Sequence, residues 1–114
     1  MYMLIMVLDD TAHLNDVLNA WDEAGVAGVT IIESTGINRV LQRHSAEMAF
    51  AGFSQIFGSG RVGHNTLFTV SDSLELAEAA VAATEAVLGD LTEPDKGIIF
   101  AVPVAKTWGL TLTR

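Results

Sequence analysis

His13, His44 and His64 are the chain's three histidines. His44 and His64 flank a stretch that also carries Glu47, so a weak metal site at its base is one arrangement these residue types allow. No established ligand spacing supports it, and no metal site is expected. There is no cysteine, which removes disulfides, thiolate metal sites and a cysteine nucleophile. Serine, histidine and aspartate occur without a nucleophile elbow or a G-x-S-x-G motif. Asp9-Asp10 precedes an amphipathic stretch, where helix capping is a better reading than acid–base work. No catalytic constellation emerges, so the chain is not expected to be an enzyme.

Anion chemistry has better candidates. Gly36 would let backbone approach a ligand closely, and Arg39 would meet an anion. A turn glycine and a salt-bridging arginine explain the same two residues equally well. Gly58-Ser59-Gly60-Arg61 has the composition of an anion nest, but a hinge is the preferred reading.

These residues need a frame. Met1 to Leu8 is nearly continuously apolar and predicts a buried strand. Asp9, Asp10 or Thr11 then caps a helix whose stripe is Leu14, Val17, Leu18 and Trp21, and Gly25 ends it. Val26 to Glu33 is β-branched and predicts a second strand. The third strand is placed at Asn65 to Val70. Asp72 and Glu75 resemble a capping box before a helix from Ser73 to Leu88. Ile98 to Val102 is the fourth strand, stopped by Pro103, with a short edge strand possible in the tail from Val104 to Arg114. The order is β-α-β-β-α-β in one domain spanning 1–114, and the fold class is α+β, a four-stranded antiparallel sheet with both helices on one face. Strands one, two and four are apolar at nearly every position, so the sheet's other face is also expected to be apolar. That face is larger than a monomer usually shows to water, which points to self-association through the sheet.

About thirty residues, Thr35 to Gly63, separate the second and third strands. So long an interval in so small a domain is usually functional. Phe50, Phe53 and Phe57 recur there at helical spacing, within Ser45 to Phe57, and Arg61 follows. They predict a short amphipathic helix, packed on its own assembly or docking another protein.

Composition narrows the partners. Six Lys and Arg face fourteen Asp and Glu, for a net charge of −8. With no basic cluster, nucleic acid and anionic membranes are poor partners. The apolar start is too short to span a bilayer and lacks a basic flank or cleavage site, so no signal peptide is expected. Absence of cysteine agrees with a cytoplasmic location.

The pattern resembles the PII-like signalling proteins, relatives of the nitrogen regulatory PII family. The resemblance rests on Leu14-Asn15-Asp16-Val17-Leu18, on Ala24-Gly25-Val26-Ala27-Gly28-Val29-Thr30, on Glu33-Ser34-Thr35-Gly36-Ile37-Asn38-Arg39 and on Gly97-Ile98-Ile99-Phe100-Ala101-Val102-Pro103-Val104. It implies a ferredoxin-like fold and a homotrimer with its sheets inward. The interval at 35–63 would be the family's T-loop, docking a transporter or enzyme through Phe50, Phe53, Phe57 and Arg61. A small anionic effector, an adenine nucleotide or similar, would bind between subunits near Gly36, Asn38, Arg39, Lys96 and Gly97. The chain also departs from that pattern. Its one tyrosine is Tyr2, so modification at the loop tip is excluded. The phosphate cradle is reduced to Glu93-Pro94-Asp95-Lys96-Gly97-Ile98, where two carboxylates repel phosphate. The basic C-terminal motif is absent. Two alternatives stay open, a structural trimer with no effector and a metal-binding trimer of the CutA kind.

Overall fold

Alternation along the strands decides which side chains reach the core. The computed structural model describes residues 1–36 and 63–110. β1 (Tyr2–Leu8) buries Leu4, Met6 and Leu8, while Met3, Ile5 and Val7 point the other way. α1 (Leu14–Ala24), β2 (Thr30–Ser34), β3 (His64–Ser71), α2 (Leu74–Leu88) and β4 (Gly97–Pro103) follow. The strands form one antiparallel sheet in the order β2-β3-β1-β4. This is the ferredoxin-like βαββαβ arrangement.

The topology fixes where the helices go. β1 and β2 run parallel with β3 between them, and β3 and β4 run parallel with β1 between them. Each crossover skips one strand. Right-handed crossovers over strand pairs of opposite direction place both helices on the same face. There α1 and α2 pack on each other and on Leu4, Met6, Leu8 and Leu67, with Val17, Trp21, Ala77 and Ala80 fully or almost fully buried. α2 turns Glu75, Glu78 and Glu85 to water, as its sequence predicts.

One hydrogen bond ties the two helices through the core. The Trp21 indole Nε1 donates to Thr84 Oγ1 at 2.7 Å, and that hydroxyl donates to the Ala80 carbonyl at 2.7 Å. Both residues are wholly buried. A buried indole N–H without an acceptor is costly, so Thr84 lets the largest core side chain sit where it does.

Local chemistry shifts several predicted boundaries. Asp10 is the residue that caps, accepting from Ala12 N at 2.9 Å at the start of a 3-10 turn, Thr11–His13, that leads into α1. Gly25 ends α1 in the left-handed region at φ +108, and Val26 N bonds back to the Trp21 carbonyl at 3.0 Å. The Val26 side chain is spent in the core, so β2 begins at Thr30 and not at Val26. α2 is capped by Ser73, whose Oγ accepts from Leu76 N at 3.2 Å, and not by Asp72. β3 runs on to Ser71, whose hydroxyl donates to the Ser73 carbonyl at 2.8 Å and closes the turn. β4 takes in Pro103. Beyond it Val104 N donates to the Met1 carbonyl at 2.9 Å, and residues 105–110 form no strand. The rest of the tail, 111–114, lies outside the described residues.

The second sheet face is apolar, as the strand composition predicts. The register places Met3, Ile5 and Val7 beside Val70 and Phe68 on one side and beside Val102, Phe100 and Ile98 on the other. Ile98 is 56% exposed and Phe100 43%. Among the described residues no helix is long and apolar enough to cross a membrane.

Thr84→Val keeps the shape of the core but leaves the indole N–H unpaired. Urea denaturation should show a loss of about 1–3 kcal/mol. Thr84→Ser should recover most of it, and an unchanged Thr84→Val would deny the bond any role in stability.

Candidate functional site

The ends of all four strands meet at one end of the sheet. Leu8 pairs with Asn65 and with Gly97, and Ser34 pairs with His64. The chain leaves this end after Gly36 and returns to it at Gly63. Asn38, Arg39, Phe50, Phe53, Phe57 and Arg61, with His44 and Glu47, lie outside the described residues.

Gly36 and His64 are neighbours. A methyl group placed on Gly36 would meet His64 Cε1 at 3.3 Å and Nδ1 at 3.8 Å, so the ring lies against the glycine. The ring nitrogen next to Cε1 faces the end of β1, with His64 Nε2 3.2 Å from Asp9 Oδ1. Ser34 Oγ and Thr66 Oγ1 share a hydrogen bond at 2.8 Å, and Ser34 Oγ also reaches the His64 carbonyl at 3.4 Å. These polar groups close one end of the apolar face.

Gly97 has a structural reason to be glycine. Its φ is +113, and a Cβ there would overlap the Val7 carbonyl oxygen. The left-handed turn and the close approach to β1 each exclude a side chain. Lys96 lines a small cleft with Leu8, Asp10, His13, Leu88 and Asp95, on the helix side of the sheet. Its Nζ lies beside Gly89, where a cation suits the C-terminal end of α2. The described contacts therefore divide the predicted effector residues. Gly36 faces His64 at the apolar face, and Lys96 sits behind the sheet among the helix ends.

The segment before β4 is held by its own short bonds. Asp90 Oδ1 accepts from Thr92 N at 2.9 Å and from Thr92 Oγ1 at 2.7 Å. The first of these bonds, then the second, holds the Asp90 carboxyl below its ordinary range. Glu85 Oε2 accepts from Leu91 N at 3.1 Å. Glu93 and Asp95 stand exposed, and Asp95 adopts φ +65, uncommon outside glycine. Carboxylates and an Asp turn thus occupy the segment before β4.

Two features were not singled out from sequence. The Asp9–His64 pair depends on cross-strand register, which no local motif encodes. Asn65 is buried on the helix side, with Oδ1 lacking a hydrogen-bond partner among the described residues. Only its polar type within a strand hinted at that. No group of three or more potential metal ligands forms among the described residues. No protein-family model matches the chain, and a search of curated proteins finds no match to it.

Gly97→Ala should destabilise the fold by about 2–4 kcal/mol, from the positive φ and the overlap together. Chemical denaturation measures it, and a loss near zero would show that the β1–β4 approach can relax. Asp90 has the opposite pH signature to a histidine. Its folded value is depressed, so its contribution is present above the unfolded carboxylate range near pH 4 and is lost as pH falls through the lower folded value. Protection of the Thr92 amide against exchange should therefore fall in acid, and Asp90→Asn should remove that dependence.

Proposed function

We propose that this chain is a PII-like regulatory protein that works as a homotrimer. In this reading a small anionic effector, an adenine nucleotide or similar, enters between subunits near Gly36, Asn38 and Arg39. Effector occupancy biases the chain between β2 and β3, which carries Phe50, Phe53, Phe57 and Arg61 to a protein target. The cytoplasm is the compartment it implies.

The observation that carries the reading is the apolar face of a ferredoxin-like sheet, which no described element covers, with Gly36 and Gly63 at one end of that sheet. Both described helices are committed to the opposite face. Further copies of the same face offer matching apolar surface, with Asp9 and His64 confined to one end of it. The net charge of −8 opposes assembly at long range, so association should strengthen as salt screens it.

A second reading is favoured by Gly97 and Lys96, which both have structural duties in the fold. It keeps the trimer and drops the effector. Isothermal calorimetry with ATP, ADP, AMP and cyclic dinucleotides separates the two. The regulatory reading expects saturable binding to at least one of them, weakened about tenfold or more by Arg39→Ala through loss of a charge-assisted contact. Silence across the whole panel would leave the structural trimer. Binding indifferent to Arg39→Ala would move the site elsewhere.

A further inference from the structure

An edge strand carries a row of unpaired backbone groups, and chains that stay single blunt it with charge, proline or cover. Neither edge of this sheet is blunted along its middle. β2 is outermost on one side and β4 on the other, and no described strand lies beyond either. β2 exposes isoleucine on both faces. Ile31 pairs with Leu67 on the helix side and is 43% exposed, and Ile32 pairs with Thr66 on the apolar face and is 49% exposed. The helix layer therefore leaves this edge partly open. β4 presents Ile98 and Phe100 on the apolar face, and its proline stands only at the last position, Pro103.

The two edges complement each other. β2 runs parallel to β1 and β4 antiparallel to it, so the edges run in opposite directions. In two copies set side by side and facing the same way, β4 of one and β2 of the other form an antiparallel pair. Alternation keeps like beside like. Ile32 joins Ile98 and Phe100 on the apolar face, and Ile31 joins Ile99 and Ala101 on the helix side. Charge agrees. Glu33, Asn65, Leu8 and Gly97 form one row across the sheet, which puts Glu33 at one edge and Lys96, next to Gly97, at the other. Both lie on the helix side, and neither forms an ion pair among the described residues. Pairing β2 with β2, or β4 with β4, would leave the other edge bare and keep Glu33 from Lys96.

We propose that β2 of one copy pairs head to tail with β4 of the next, with Glu33 meeting Lys96 across the junction and the apolar face turned inward. The inference rests on the homotrimer reading and says which surfaces join. Three such junctions close a ring, so every edge finds a partner and the face that the helices leave open becomes the lining of the particle. Backbone hydrogen bonds hold the junction, and the isoleucines on its two faces shield them from water.

Disulfide trapping and amide exchange on the full chain test it. The chain has no cysteine, so introduced thiols are its only ones. Ile31→Cys is combined with Ala101→Cys or with Ile99→Cys, which covers neighbouring registers. Within one chain these positions are three strand spacings apart, about 14 Å, too far for a disulfide. Oxidation should join one of the double variants into covalent trimers on a denaturing gel, and each single variant should stay a monomer there. In the wild type, the β2 and β4 amides that point away from the sheet should exchange about tenfold or more slowly than free amides, the factor linked to one net hydrogen bond. Glu33→Lys should weaken association about tenfold at low salt, through repulsion by Lys96. Links in a single variant would mean that like edges meet, and would overturn the proposal. A trimer whose edge amides exchange freely, or whose association ignores Glu33→Lys, also overturns it while the homotrimer stands. A monomeric wild type overturns both. Should the cysteine variants fail to fold, wild-type exchange decides alone.

Discussion

Two crossovers of one hand put both helices on one side of the sheet, and the rest of the molecule answers to that constraint. It allows a core in which Trp21 from the first helix and Thr84 from the second share a buried hydrogen bond. It also leaves the other side with no cover from the described chain. A polar surface would settle that side in water. Instead Met3, Ile5, Val7, Phe68, Val70, Ile98, Phe100 and Val102 line it. Strands that are apolar on both faces belong between two layers, and the helices supply only one.

The same constraint organises the chemistry. The apolar face turns polar at one end, where Asp9, Ser34, Thr66 and His64 gather. Residues 37–62 leave and return there, so whatever they do is anchored to strand ends held by a register of backbone bonds. Behind the sheet, Gly97 and Lys96 are engaged in packing β4 against β1 and in meeting the end of the second helix.

Much of the fold was legible in the sequence because its signals are local. The stripe at Leu14, Val17, Leu18 and Trp21, the glycine at 25 and the β-branched runs each declare an element by periodicity or by backbone freedom. The apolar second face could be read in the same way, from strands that fail to alternate. The misplacements have physical causes. Val26 is apolar because it fills the core after a helix cap, which composition alone cannot tell from a strand. Ser73 outcompetes Asp72 as the cap because Ser71 extends β3 by one residue before the turn. At the candidate site, Gly36 was read evenly as a turn glycine or as a point of close approach to a ligand, and the neighbour described for it is a histidine ring. The Asp9–His64 pair was not legible, since it joins residues 55 positions apart through register. Gly97 was read as part of a phosphate cradle, and its contact with the Val7 carbonyl shows what a residue name conceals until the neighbouring strand is in place.

The proposed assembly is where fold and function join, and the native mass of the particle tests it most directly. Sedimentation equilibrium on the wild-type chain at micromolar concentration should give three times the chain mass of 12.1 kDa. Phe100→Asp places a charge in the middle of the apolar face, opposite Ile5. It should bring the particle to a single chain with its secondary structure retained. A wild-type chain that sediments as a monomer across the concentration range, with that face open to water, would contradict the account.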